Sequence, residues 1–151
     1  MNRREFLKTS ALTAVAVAAM SKLPGAALSA AEAPAAGPLP DLVAVRNGTP
    51  AEMFRKGIEA LGGMKAFVKP GQKVVVKPNI GWDKTPELTG NTNPKLIAEI
   101  VKQCLAAGAK EVAVFDHTCD DWIKCYKNSG IEEAAKTAGA KVVPAHEESY
   151  Y

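Results

Sequence analysis

Short β-branched runs alternate with helical stripes along most of this chain, and that alternation limits it to few architectures. Val74-Val75-Val76 and Val112-Ala113-Val114-Phe115 are each too short and too apolar for anything but strands. Between them Leu96, Ile97, Ile100, Val101, Cys104 and Leu105 form one continuous helical stripe, opened by Asn93-Pro94 and closed by Gly108. A second crossover runs from Ser129-Gly130-Ile131-Glu132, which reads as a capping box, to Ala138, with Gly139 as its stop and Val142-Val143 as the next strand. The joints Gly108-Ala109-Lys110 and Gly139-Ala140-Lys141 are near copies, as expected of one αβ connection used twice. Upstream, Leu42-Val43-Ala44-Val45 reads as a further strand. Thr49-Pro50-Ala51-Glu52 is a capping box with proline in the first helical turn, followed by Met53, Phe54, Ile58 and Leu61 and by Gly62. The expected fold is α/β: a mostly parallel, four-stranded sheet in a three-layer, Rossmann-like arrangement. Val74–Val76 is expected to be buried on both faces.

The N-terminus has a different logic. Met1-Asn2-Arg3-Arg4-Glu5-Phe6-Leu7-Lys8 resembles the bacterial twin-arginine export signal, carried by Arg3, Arg4, Phe6 and Leu7. The Ala-rich run from Ala11 to Met20 is about half the ~20 apolar residues a spanning helix needs. Ser29-Ala30-Ala31 suits a signal peptidase, and cutting after Ala33 is disfavoured by Pro34. The expected organisation is a signal peptide over 1–31, a Pro/Ala linker over 32–40 and a single α/β domain over 41–151. An uncleaved anchor or a chance amphipathic helix is the alternative for the first segment. Export places the protein in the periplasm, with the twin-arginine translocase as a partner in transit and no stable membrane span afterwards.

Charge depends on that division. The whole chain has 19 basic and 16 acidic residues, a formal +3. Removing residues 1–31 takes away Arg3, Arg4, Lys8, Lys22 and Glu5, leaving a balanced chain with no basic block. Nucleic-acid binding, which needs concentrated positive charge, is excluded as a class. There is no G-x-x-x-x-G-K-[ST], no G-x-G-x-x-G after a strand, no G-x-S-x-G and no H-E-x-x-H. P-loop, dinucleotide-binding and hydrolase chemistries lose their main support.

In open parallel sheets, ligands gather beyond the carboxyl ends of the strands. Two loops meet that description. The first runs from Lys77-Pro78-Asn79 through Trp82 to Asn91-Thr92-Asn93, roughly sixteen residues where 2–6 are usual. Lys77, Asn79 and Asn93 are its candidates for an anionic ligand; the alternative is a solvated lysine and turn-forming asparagines. The second is Asp116-His117-Thr118-Cys119-Asp120-Asp121-Trp122-Ile123-Lys124-Cys125. Asp116 and His117 are the candidate acid/base pair, and Asp116, His117 and Cys119 the candidate metal ligands. Cys119 and Cys125, six apart, have no zinc or iron–sulfur spacing. A local disulfide, free thiols and metal ligation all stay open for them. Cys104 reads as a core thiol and His146 as a solvated residue. Trp82 and Trp122 either flank a flat ligand or form packing lids.

Residues 42–143 resemble the family known as domain of unknown function 362. The resemblance is carried by Leu61-Gly62-Gly63, by Val68-Lys69-Pro70-Gly71-Gln72-Lys73-Val74-Val75-Val76-Lys77-Pro78-Asn79 and by Thr92-Asn93-Pro94. It continues in Ala107-Gly108-Ala109-Lys110-Glu111-Val112, Asp116 and Ser129-Gly130-Ile131. It implies company with twin-arginine signals or ferredoxin-like iron–sulfur segments, and a longer chain, of which this one would be the N-terminal half. A partner chain would be another way to complete the sheet. This chain contains no C-x₂-C-x₂-C run, so a metal or iron–sulfur cofactor has no support from ligand spacing. Two functional expectations result. One is an exported metal- or redox-associated enzyme with its site at the strand ends. The other is a non-catalytic periplasmic module that binds a small anionic ligand or assembles with a partner chain.

Overall fold

A computed structural model describes residues 38–144. The twin-arginine signal, most of the Pro/Ala linker and His146 lie outside the described residues. The elements run α1 (Pro50–Ala60), α2 (Met64–Phe67), β1 (Lys73–Val76), α3 (Pro94–Ala106), β2 (Glu111–Val114), α4 (Trp122–Asn128), α5 (Ile131–Thr137) and β3 (Lys141–Val142). A 3-10 turn at Pro86–Leu88 interrupts the long loop after β1.

The strands form a parallel sheet in the order β1-β2-β3, with Val74 opposite Val112, Val76 opposite Val114 and Val114 opposite Val142. The α/β expectation is met, but with three strands among the described residues. Leu42–Val45 has no ladder partner; Leu42 is 85% exposed. Val45 packs instead toward Gly57 of α1, 3.6 Å from the position of a β-carbon there. Four alternating residues without a neighbouring strand edge have nothing to pair with, so the propensity goes unused.

Chain order equals spatial order, so both crossovers move across the sheet in the same direction. Right-handed connections then place their helices on the same face. The contacts agree: α3 packs on β2, α5 on β3 and on α3, and α1 and α2 on α3. Val74, Val76, Val112, Val114 and Val142 point into this helical layer, joined by Ile97, Val101 and Cys104 of α3 and by Ile131 and Ala135 of α5. The register puts Lys73, Val75, Glu111, Ala113 and Lys141 on the opposite face, and Val75 is 60% exposed. β1 is therefore not buried on both faces, as its three valines had suggested. The two crossover helices α3 and α5 lie together on one side of the sheet, and α1, α2 and α4 pack against them.

Local signals explain most element ends. Thr49 and Glu52 make the reciprocal capping box of α1, each bonding the other's backbone N–H. The Thr49 bonds hold the Glu52 carboxyl below the ordinary glutamate range. Asn93 caps α3 through Lys95 N–H. Across the helical layer Arg55 of α1 bonds Glu99 of α3 at 3.1 Å, and Gln103 bonds the same oxygen at 2.9 Å. Ser129 departs from expectation. Gly130, at φ 71°, occupies the cap position of α5, and the buried Ser129 hydroxyl bridges Tyr126 O and Ile131 N–H. It splices α4 to α5 rather than forming a capping box.

Gly108 is the αβ joint that meets backbone, whereas Gly139 faces a leucine side chain. The φ of Gly108 is 103°, and a β-carbon there would lie 3.2 Å from the backbone Cα of Pro70. Gly71 N–H donates to Gly108 O at 2.8 Å, so the turn before β1 and the joint before β2 are fastened together. Gly108→Ala combines left-handed strain with a backbone collision. It should cost roughly 1–2 kcal/mol or more, read as a lower urea midpoint at unchanged slope.

Candidate functional site

The site begins where β1 and β2 end. Asp116 follows β2 and Phe115, on the same side as Val112 and Val114, and is 4% exposed. A carboxylate taken this far from water needs charge and hydrogen bonds to compensate. One oxygen accepts Ile80 N–H at 2.8 Å, and the other meets the Lys77 ammonium at 2.5 Å. Lys77 remains 63% exposed, so the pair is wet on one side and dry on the other. Lys77 and Asp116, read from separate loops, are thus brought into direct contact.

The backbone of Asp116 is fixed by a residue that sequence reasoning missed. The Tyr126 hydroxyl accepts Asp116 N–H at 2.8 Å. Its single proton is directed to Asp116 O at 2.9 Å, with Val143 O at 3.2 Å as the second acceptor. Tyr126 thereby joins the end of β2 to the end of β3. It reaches this position because Trp122 to Cys125, expected to be the end of a loop, form the first part of α4 (Trp122–Asn128). Asp121 caps that helix through Lys124 N–H, and Trp122 stands edge-on to Tyr126 at 6.1 Å and 86°. Asp121 before Trp122, Cys125 and Tyr126 at i, i+3 and i+4 was the available signal. Trp122 is used in packing, while Trp82 is 46% exposed.

The long loop after β1 is stapled to itself. Asn79 N–H donates to Thr92 Oγ1 at 2.8 Å, Thr92 N–H to Asn79 O at 2.9 Å, and Asn79 Nδ2 to Gly90 O at 3.1 Å. Asn91 brackets Trp82, accepting its N–H at 3.1 Å and donating to its carbonyl at 2.8 Å. Asn79 is therefore an anchor of the loop, and Asn93 a helix cap.

Gly81 ties this loop to the next. Its carbonyl accepts Cys119 N–H at 2.9 Å and Asp120 N–H at 3.2 Å, and the buried Cys125 thiol approaches it at 3.7 Å. Asp83 extends the junction: its N–H donates to Asp120 Oδ2 at 3.0 Å, and its Oδ1 accepts Asn128 Nδ2 at 2.6 Å. Burial pushes the Cys125 thiol pKa up. The Asp120 N–H opposes that rise, and the nearby Asp120, Asp83 and Asp121 carboxylates add to it. Cys119, Cys125 and Cys104 are all free thiols here.

His117 is exposed beside Asp116. The expected trio of Asp116, His117 and Cys119 is not gathered: among the described residues no three His, Cys, Asp or Glu side chains are placed to hold a metal ion. The donor set explains why. Both Asp116 oxygens are already engaged, and Cys104 lies apart in the helical core against the Met64 sulfur at 4.0 Å. The described residues do not fit a resident metal or iron–sulfur cluster. A separate groove of about 440 Å³ runs between α1, α2 and α3, lined by Arg55, Ile58, Met64, Gln103 and Ala107. Arg55 and Gln103, its polar groups nearest the centre of this helical contact, are both already bonded to Glu99.

The α/β sheet with its paired loop cluster defines the class, and comparison with known proteins gives the family. The chain belongs to the family described as a domain of unknown function, DUF362, whose model matches residues 74–151. It is similar to the thylakoid-associated protein sll1697 of Synechocystis sp., with 39% identity over 57 residues. That match covers 38% of this chain and 18% of the relative, so the chain spans under a fifth of its length. No solved structure matches. Among the described residues, no helix is long and apolar enough to cross a membrane.

The asymmetry of the ion pair yields a test. Asp116→Ala strands the buried Ile80 N–H and removes a charged acceptor, a loss of about 2 kcal/mol. Lys77→Met leaves the buried Asp116 carboxylate with only the Ile80 N–H and should cost at least as much, about 2–4 kcal/mol. Urea unfolding of both variants at neutral pH reads the two costs; a Lys77→Met cost within about 0.5 kcal/mol of zero would contradict the assignment of the lysine as the charge that compensates Asp116.

Proposed function

We propose that this chain is an exported, periplasmic α/β module that holds a small anionic ligand at the carboxyl ends of its strands, in a binding or assembly role. The observation that carries the reading is the Lys77–Asp116 pair. The carboxylate expected to act as a base is buried and has both oxygens engaged, whereas the side chain of the lysine paired with it is largely exposed. An ammonium has three donors, so Lys77 can keep Asp116 and still offer hydrogen bonds outward to a carboxylate or phosphate. His117, next along the chain and exposed, lies at the same strand end. The stapled loop supports binding in a second way, because a preordered loop loses little entropy when it closes on a ligand. A proton-transfer role for Asp116 with His117 would require the Lys77 pair to open first, and the engaged donor set gives the metal-dependent version no support.

Titration of the full chain with inorganic phosphate and with acetate, followed by amide NMR, tests the site. Saturable shifts centred on Lys77, Ile80 and His117 are expected, lost in Lys77→Met and largely restored in Lys77→Arg. Shifts that ignore residue 77 would end the reading.

Export rests on Arg3-Arg4-Glu5-Phe6-Leu7-Lys8, on the Ala-rich run from Ala11 to Met20 and on Ser29-Ala30-Ala31. Residues 1–31 fused to a prefolded reporter should deliver it to the periplasm of a bacterium with a twin-arginine translocase. Replacing Arg3 and Arg4 together by lysine should abolish delivery. Delivery that survives the double replacement would point to another route.

A further inference from the structure

Two sulfur atoms converge on one glycine. The Cys125 thiol approaches the Gly81 carbonyl oxygen at 3.7 Å. The Cys119 sulfur lies 3.8 Å from the position that a Gly81 β-carbon would occupy. Cys119 N–H donates to the same Gly81 oxygen at 2.9 Å, so the backbone of one cysteine and the thiol of the other share an acceptor. The Asp120 N–H, one residue after Cys119, donates to the same Gly81 oxygen at 3.2 Å. Gly81 is what permits the approach, since a side chain there would stand against Cys119 and against Asn79 Oδ1 at 3.3 Å.

The two thiols differ in the way a sequential exchange requires. Cys119 is exposed and lies in the irregular segment before α4, free of helical constraint. Cys125 is fully buried in α4. Cys104 is buried elsewhere, in α3. An incoming oxidant can reach only the first, and the second meets the same glycine, whereas Cys104 lies against Met64 in the helical core.

We propose that Cys119 and Cys125 form a thiol–disulfide pair, with Cys119 as the attacking thiol and Cys125 as the resolving one, driven by a small-molecule disulfide of the glutathione class. The Cys119 thiolate attacks one sulfur of the oxidant, forming a mixed disulfide and expelling one thiolate. The Cys125 sulfur, giving up its proton, attacks the Cys119 sulfur and expels the second. The two protein thiols lose two protons and two electrons, and the oxidant gains both as two thiols. The new bond closes a short ring across the start of α4 and withdraws the Cys125 proton from the Gly81 carbonyl. It therefore acts at the junction between the two site loops. The pair stands on this geometry alone and is independent of the anion-binding reading.

The full chain is incubated with oxidised glutathione and analysed by intact mass and by non-reducing peptide mapping. The wild type should lose the mass of two hydrogens, carry no retained glutathione and yield one linked peptide pair, Cys119 with Cys125. Cys125→Ser should stop at the intermediate and retain one glutathione on Cys119; Cys119→Ser should stay unmodified while folded. Should Cys125→Ser not fold, the wild-type time course decides instead, since resolution requires glutathionylation at Cys119 to rise and then fall. A persistent glutathione adduct on the wild type, three unreacted thiols, or a link involving Cys104 would overturn the proposal.

Discussion

A carboxylate buried at the end of a strand has to be compensated by whatever lies within reach, and here the compensation organises the neighbourhood. Asp116 takes a backbone N–H from Ile80 and an ammonium from Lys77, both belonging to the loop that leaves the adjacent strand. Removing such a group from water costs several kcal/mol before pairing repays it, so the loop is constrained to present those donors. Ile80 and Gly81 become buried as a consequence, and the Gly81 carbonyl is then positioned to accept from the second loop. Tyr126 fixes the same residue from behind through its backbone, and carries the constraint to Val143 beside β3. Three strand ends and two loops are thereby coupled through one aspartate and one tyrosine.

The sheet obeys a second constraint of a different kind. Parallel strands laid down in one direction by right-handed crossovers collect their helices on one face. α3 and α5 therefore share a layer, and their mutual contact is more extensive than either's contact with a strand. The other face is left to Val75, Ala113 and the flanking Lys73, Glu111 and Lys141. Val74, Val75 and Val76 are identical in kind, and within β1 only Lys73 marks the face it shares with Val75 as the open one. Topology then leaves that face without a helix.

That difference marks what the residues revealed in advance. The α3 stripe was legible because six apolar positions repeat at helical spacing, and Ile97, Val101 and Cys104 are indeed its buried residues. Thr49 with Glu52 was legible because a capping box is a local interaction between near neighbours. Ser129 showed the same four-residue pattern and misled, because Gly130 at positive φ takes over the cap and frees the serine hydroxyl to splice two helices. α4 was hidden for another reason. It is seven residues long, and its Cys125 and Tyr126 sit among carboxylates that read as chemistry. Lys77 and Asp116 were both singled out, yet no pattern in one sequence says that residues 39 positions apart will neutralise each other. That contact depends on the β1–β2 register, with Val76 opposite Val114.

The polar residues of the two loops also show why candidate sites are hard to separate from scaffolding. Asn79, Asn91, Asn93 and Asp121 have side chains suited to ligands, and each is engaged by the backbone of its own loop or helix. A loop of this length inside a compact domain exposes many backbone groups, and short polar side chains are the cheapest way to satisfy them. The groups left facing outward at the strand ends are those whose charge is only partly spent, Lys77 above all. Lys77 is held there by Asp116, whose own place is fixed by Ile80 N–H and by the Tyr126 hydroxyl, so the position of this one cation follows from the packing beneath it.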